Sequence, residues 1–207
     1  MERSNVTKAT LGRLPQYLQF LNGLPPGQYD HISATTIAKM LSLGEVQVRK
    51  DLAAISRLGK PKVGYRTSEL ISDLEDALGC KKLTPAILVG AGKLGRALLD
   101  YNGFEEYGVQ ITAAFDCNEQ VLRMNKTSKE ILPIRSLKKY CAENGIRIGI
   151  ITVGSGSAQD VCDQMLEAGI TAIWNFAPCQ LKVPDNVLVK QENLALSLAH
   201  LNSQISK

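Results

Sequence analysis

Apolar residues change their spacing along this chain. Leu14, Tyr17, Leu18 and Leu21 recur at three- and four-residue intervals, the single buried face of a helix over residues 13–21. Pro15 falls in the first turn of that helix, where its missing N–H matters little, and the loop Asn22-Gly23-Leu24-Pro25-Pro26-Gly27 ends it. Ser33 is placed to cap a second helix with Ile37, Ala38 and Leu41 on its inner face. A turn at Leu43-Gly44 leads to a third helix, in which Val48, Leu52 and Ile55 point inward and Gln47, Arg49, Lys50 and Arg57 point elsewhere. Residues 60–66 form a short basic hairpin. A fourth helix over residues 68–78 carries Leu70, Ile71, Leu74 and Leu78 inward and closes at Gly79.

Beyond residue 84 the apolar residues run continuously. Pro85-Ala86-Ile87-Leu88-Val89 and Val109-Gln110-Ile111-Thr112-Ala113-Ala114-Phe115 read as buried strands, and residues 147–153, 172–176 and 187–189 as three more. Helical segments separate them, so the pattern predicts a mostly parallel, doubly wound sheet. The last segment, residues 192–207, returns to helical spacing, with Leu194, Leu198, Leu201 and Ile205 in one stripe that Leu196 broadens. Such a helix must bury itself on its own domain or on a partner. The boundaries that follow are a winged helix-turn-helix domain over 1–79, a linker over 80–84, a Rossmann domain over 85–191 and a terminal helix over 192–207.

Two adjacent helices with a tight turn, the second apolar on one side and carrying long polar donors on the other, have the build of a helix-turn-helix. Arg49 suits guanine edges or a phosphate, and Gln47 suits adenine. The hairpin after it, with Lys60, Lys62, Tyr65 and Arg66, has the position of a wing that touches phosphates or the minor groove. Charge agrees with this placement. The chain is +4 overall, and residues 31–66 hold 7 Lys and Arg against 2 Asp and Glu, where phosphate contacts need them.

The fingerprint Gly90-Ala91-Gly92-Lys93-Leu94-Gly95 directly follows the first strand of the second domain and opens a helix that continues to about Asn102. In that setting Gly90 permits the tight turn, Gly92 lets the backbone approach a pyrophosphate, and Gly95 allows close helix–strand packing. The helix N-terminus then faces the anion. Asp116 ends the next strand, where an acid binds the adenosine ribose hydroxyls and disfavours an added phosphate, which points to NAD(H). The strand ends around Val153-Gly154 and Phe176-Ala177-Pro178 lie at the carboxyl edge of the sheet and are the expected place of the nicotinamide.

Other function classes lose ground. No segment approaches the roughly 20 apolar residues of a membrane span, and the first residues carry no apolar stretch, so a cytoplasmic protein without a signal peptide is expected. The five cysteines are scattered and form no Cys-x-x-Cys pair, which argues against disulfides and a zinc site. Cys179, beside the expected ligand site, is the one to suspect of reactivity. A dehydrogenase would want a positioned acid or base. The two histidines, His31 and His200, lie before the helix-turn-helix and on the terminal helix, so no enzyme is expected.

Taken together, Val46-Gln47-Val48-Arg49-Lys50-Asp51-Leu52, Val63-Gly64-Tyr65, Gly90 to Gly95, Leu99-Asp100-Tyr101-Asn102-Gly103-Phe104, Asn175-Phe176-Ala177-Pro178 and Glu192-Asn193 resemble the Rex family of redox-sensing transcriptional repressors, over about residues 10–205. The resemblance implies a homodimer whose terminal helix is swapped onto the partner. It implies binding to inverted-repeat operator DNA when free or carrying NAD+, and release by NADH. Tyr101 matches a family tyrosine near the nicotinamide that helps to distinguish the two redox forms. Three positions depart from the family pattern. Gln19 and Ala195 stand where many members have an Arg and an Asp that pair one subunit's DNA domain with the other's terminal helix, and Gly154 stands where a Pro is usual beside the nicotinamide. The departures imply a redox response that is weakened or altered.

Overall fold

Thr7 starts the first helix. Its side chain accepts the Thr10 N–H at 3.1 Å, and α1 runs from Lys8 to Asn22 in the computed structural model, which describes residues 6–25, 27–123, 127 and 129–205. Residues 1–5, on which the expectation of no signal peptide rests, lie outside these, as do Pro26 of the expected loop and residues 206–207 of the terminal segment. The chain divides into two compact units, residues 1–82 and 83–207.

In the first unit, α1 begins five residues earlier than the apolar pattern suggested, so Pro15 sits inside the helix and not in its first turn. The N–H that Pro15 lacks would have bonded the Leu11 carbonyl. Leu11 is on the exposed side, where water can take that bond. Ser33 caps α2 (Ala34–Met40), accepting the Thr36 N–H, and Gly44 precedes α3 (Glu45–Ile55). The hairpin is held by β1 (His31–Ile32) paired antiparallel with β2 (Tyr65–Arg66) and by a bridge between Lys60 and Gly64. Gly64 has φ +88°, and a Cβ there would stand 2.4 Å from the Ile32 carbonyl oxygen, so only glycine lets the two segments close. α4 (Thr67–Leu78) ends at Gly79, which is left-handed with φ +74°. Leu14, Tyr17, Leu18, Ile37, Val48, Leu52, Leu70 and Leu74 form one buried cluster among these elements.

The second unit is a six-stranded, fully parallel sheet in the order β5-β4-β3-β6-β7-β8. Its strands are β3 (Thr84–Val89), β4 (Val109–Asp116), β5 (Ile131–Pro133), β6 (Ile148–Ile151), β7 (Ala172–Asn175) and β8 (Leu188–Gln191). This order reverses direction at β3, the doubly wound arrangement whose ligand crevice lies at the switch point. Two buried clusters flank the sheet, one containing Ile87, Val89, Phe115, Ile151, Cys162 and Met165, the other Leu88, Leu99, Ile111, Ala114 and Ile150. α5 (Lys93–Leu99) is shorter than expected, and a 3₁₀ helix over Asn102–Tyr107 replaces its last turn. α6 (Glu119–Arg123) follows β4, and α7 (Leu137–Asn144) and α8 (Ser155–Glu167) complete the crossovers. The terminal α9 (Leu194–Ile205) buries none of its side chains. Among the described residues no helix is long and apolar enough to cross a membrane.

Candidate DNA-binding and nucleotide-binding sites

On the first unit, Gln47, Arg49 and Lys50 lie on the exposed side of α3, and Arg57, Lys60, Lys62 and Arg66 are exposed on the segments after it. A cleft of about 460 Å³ between the start of α2, α3 and the hairpin is lined by Ser33, Thr35, Arg49, Lys60, Lys62 and Tyr65, among others. Arg49 is paired with Glu45 one turn earlier, and Arg66 lies 3.6 Å from Glu69. Among the described residues Lys50, Arg57, Lys60 and Lys62 make no ion pair. Tyr65 differs from these side chains in burial. It is only 8% exposed and belongs to the buried cluster, with its ring against Gly59, where a Cβ would stand 2.8 Å away. It packs β2 onto that cluster and also lines the cleft.

Sequence reasoning missed the centre of this unit. Asp51, on the inner side of α3, is 1% exposed. Its Oδ1 accepts from Thr10 Oγ1 (3.1 Å), Arg13 Nη2 (2.8 Å) and Gln47 Nε2 (3.0 Å), and its Oδ2 from Arg13 Nε (2.7 Å) and Tyr17 OH (2.8 Å). Burial alone would push the Asp51 carboxyl up. The bonds from Arg13, Tyr17, Gln47 and Thr10 outweigh it and hold the group down to about 2. Burial and the adjacent carboxylate push the Tyr17 hydroxyl up to about 12. An acid at an inward position of α3 was the available signal, since such a group is tolerated only when paired.

In the second unit the strand register builds the site. Val89 pairs with Phe115 of β4 and Ile151 of β6, and Ile151 pairs with Asn175 of β7. The next residues, Gly90, Asp116, Thr152 and Phe176, therefore stand in one row along the carboxyl edge. Gly90 has φ +103°, and a Cβ there would meet Val153 Cγ1 at 2.8 Å and the Thr152 carbonyl carbon at 2.9 Å. A Cβ on Gly95 would stand 2.0 Å from the Gly90 carbonyl oxygen. Gly92 differs from both, because nothing lies within 4 Å of its missing Cβ. Open space at this glycine is what close approach of a ligand requires. Lys93 and Leu94 are exposed beside it.

Asp116 Oδ2 accepts the Ala91 N–H at 2.8 Å, and Oδ1 accepts the Asn118 N–H at 2.8 Å. The carboxylate is thereby held against the glycine loop, with lone pairs to spare. Ala91, expected at the cofactor, is fully buried, with its N–H bonded to Asp116 and its carbonyl accepting from Arg96 Nε at 3.0 Å, so it shapes the loop from within. Thr152 fastens the loop to β6 by donating to the Gly90 carbonyl at 2.7 Å.

At the other end of the row, Val153 is half-buried, Gly154 is exposed before α8, Phe176 is half-buried, Ala177 is buried and Pro178 is exposed. Their turn is set by Asn175, fully buried, whose amide donates to Gln191 Oε1 (2.7 Å) and the Cys179 carbonyl (3.0 Å) while its Oδ1 accepts the Ala177 N–H (3.0 Å). Gln191 Nε2 donates back to the Ala177 carbonyl at 2.8 Å. Sequence reasoning quoted Asn175 and overlooked this bracing. Tyr101 is 58% exposed and heads a run of rings: Tyr101 to Phe104 (4.9 Å), Phe104 to Trp174 (5.6 Å) and Trp174 to Phe176 (4.5 Å). Trp174 Nε1 donates to Glu192 Oε1 at 3.0 Å. Cys179 is half-buried, its Sγ 3.9 Å from the Ser155 carbonyl oxygen.

Comparison with known proteins finds a match for each unit and for nearly the whole chain. Residues 81–179 match a family model described as "CoA binding domain", and residues 5–53 match one described as "Putative DNA-binding protein N-terminus". The chain is 34% identical over 204 residues to the redox-sensing transcriptional repressor Rex of Clostridium botulinum strain Alaska E43, covering 99% of this chain and 97% of that one. It is 39% identical over 189 residues to the repressor of the same name from Treponema denticola, covering 91% and 90%. Among solved structures it superposes on RSP in complex with beta-NAD+ and operator DNA with a TM-score of 0.89 at 32% identity, covering 97% of this chain and 92% of that one. RSP in complex with beta-NADH gives 0.86 at 32% identity, with 98% and 95% covered.

Proposed function

The chain belongs to the Rex family of redox-sensing transcriptional repressors, and from this we propose that it binds operator DNA through α3 and the hairpin and releases it when NADH occupies the carboxyl edge of its parallel sheet. One observation carries the reading. A helix-turn-helix with an exposed basic hairpin and a register-aligned glycine loop with an opposed carboxylate occur on one chain, each complete within its own unit.

In this reading Gly92 admits the pyrophosphate. Asp116, fixed by the Ala91 and Asn118 N–H groups, accepts from the adenosine ribose hydroxyls. The nicotinamide lies toward Tyr101, Val153, Gly154, Phe176 and Pro178. The ligand acts by population shift: NADH favours an arrangement of the dimer whose two α3 helices no longer match the half-sites of an inverted repeat, and it moves that balance only by its difference in affinity for the two arrangements. The apolar face of α9, with Leu194, Leu198 and Leu201 each more than half exposed, supports a homodimer in which α9 is covered by the second subunit. Gln19 and Ala195 are both exposed and uncharged, so any coupling between DNA domain and terminal helix runs through other contacts, and the response to NADH is weaker than an ion-paired version would give. No catalysis is assigned, and the site of action is the cytoplasm, where operator DNA and NAD(H) meet.

The test is fluorescence anisotropy of a labelled inverted-repeat operator, titrated with NADH against a background of NAD+. Release by NADH and not by NAD+ is expected. Tight binding indifferent to NADH would refute the redox response, and turnover of NADH with a carbonyl substrate would revive a dehydrogenase. The description of the matching family model favours one alternative ligand, coenzyme A. Its ribose phosphate would meet the Asp116 carboxylate, so coenzyme A is expected not to displace NADH, and Asp116→Ala is expected to weaken NADH binding.

A further inference from the structure

Asp51 is a buried, ionised carboxylate that neither the nucleotide nor the DNA reading has used. We propose that Asp51 is a positioning residue for Gln47, holding its amide in one orientation on the outer side of α3 so that the side chain addresses an adenine edge in the major groove. The proposal rests on the reading of α3 as the helix that enters the groove.

The chemistry of the pair fixes the orientation. Gln47 Nε2 lies 3.0 Å from Asp51 Oδ1, and an ionised carboxylate only accepts, so the nitrogen end of the amide must be the end that faces it. One N–H of Gln47 is then committed. What remains is the carbonyl Oε1, an acceptor, and the second N–H, a donor. That set is the complement of adenine, which presents the N6 amino group as donor and N7 as acceptor. Asp51 cannot rotate away to release Gln47. Arg13 grips both its oxygens with a two-pronged contact, at 2.7 and 2.8 Å, and Tyr17 and Thr10 hold one oxygen each. All three come from α1, so the orientation of Gln47 is referred to the core of the unit and not to the mobility of its own side chain. A glutamine held in advance loses less conformational freedom on binding than a free one. A buried ion pair spends much of its attraction on desolvation, and a fixed Gln47 is a gain beyond whatever stability the pair returns.

The experiment uses the full-length protein, with operator first enriched from a random duplex library. Affinity is then measured for a panel in which each base pair of the half-site is varied in turn, at two salt concentrations. Gln47→Ala is expected to lower the preference for A·T at one position of each half-site by roughly tenfold or more. Asp51→Asn is expected to relax the same position with an unchanged salt slope, and the double variant to add nothing further. Uniform weakening by Asp51→Asn across the whole panel, with the preference intact, would show a merely structural role and overturn the proposal. If Gln47→Ala leaves every preference intact, the reading of Gln47 on α3 itself falls, a different result from the first. Should Asp51→Asn fail to fold by circular dichroism, Asp51→Glu replaces it. That variant keeps the charge for Arg13 and displaces the carboxylate from Gln47, so the same relaxation is expected, and a retained preference overturns the proposal.

Discussion

In the proposed reading Gly92 and Gly95 divide two duties of one loop, and substituting each by alanine separates them. A Cβ on Gly95 stands 2.0 Å from the Gly90 carbonyl oxygen, against 3.4 Å for ordinary contact, so α5 must retreat by about 1.4 Å from the end of β3. No side-chain rotation relieves a clash with backbone, and Leu99 at the far end of α5 is fully buried, so the retreat loosens the core as well. Overpacking of this kind costs about 1–3 kcal/mol, and a backbone clash belongs at the upper end. Gly92 has nothing within 4 Å of its missing Cβ and a backbone (φ −69°, ψ −164°) that alanine adopts. Its substitution costs about 1 kcal/mol or less, through the poorer helix start that alanine makes. The assay is pulsed alkylation of Cys162, fully buried in the second unit, across a urea series. Gly95→Ala is expected to lower the midpoint by roughly 1–3 M, from a loss near 3 kcal/mol and slopes of about 1–3 kcal/mol/M. Gly92→Ala is expected to leave the midpoint nearly in place while abolishing NADH binding, because its methyl group occupies the space the pyrophosphate needs. A Gly95→Ala protein as stable as the parent, or a Gly92→Ala protein that binds NADH normally, would refute this division.

Three further outcomes are expected. Asp51 sits at about 2 in the folded chain against an ordinary 3.8. A lowered carboxyl stabilises the fold above its unfolded value, and the benefit, roughly 2 kcal/mol, is lost as pH falls from about 4 to about 2; Asp51→Asn is expected to flatten that limb of the urea-derived stability profile, and an unchanged limb would contradict this role of Asp51. Leu198→Glu with Leu201→Glu is expected to convert a dimer to a monomer in sedimentation experiments, and a variant that stays dimeric would show that α9 is not the seam. Near neutral pH iodoacetamide is expected to label exposed Cys117 well before Cys141 and Cys162, since burial pushes both buried thiols up, Cys162 to about 11; rapid labelling of Cys162 in the native protein, followed by mass spectrometry, would contradict its buried placement.

The elements legible in the sequence are those with strong periodicity or a clear stop. Ser33, Gly44 and Gly79 mark helix ends where the structure has them, and the long apolar runs at residues 85–89 and 109–115 became neighbouring parallel strands. What was missed is short or decided by distant residues. β5 is three residues at the sheet edge and ends in proline, while α7 buries only Leu137 and Cys141 among polar neighbours. α1 was misplaced because Pro15 suggested a beginning, whereas the Thr7 cap lay eight residues before it. Asp116 was singled out by its place at the end of the strand after the glycine loop, and the structure bonds it to that loop. Asp51, Asn175, Thr152 and Gln191 were not, because each acts through partners that only the folded chain brings near.

Trp174 is the single tryptophan of the chain, and its ring lies 4.5 Å from that of Phe176 at the carboxyl edge of the sheet. Reduced nicotinamide absorbs light where indole emits it, and the oxidised ring does not. The protein therefore carries an optical gauge of its own redox ligand. Quenching of the one indole by resonance energy transfer distinguishes NADH from NAD+ on the unlabelled native chain, and makes nucleotide occupancy and DNA release separately observable in the same cuvette.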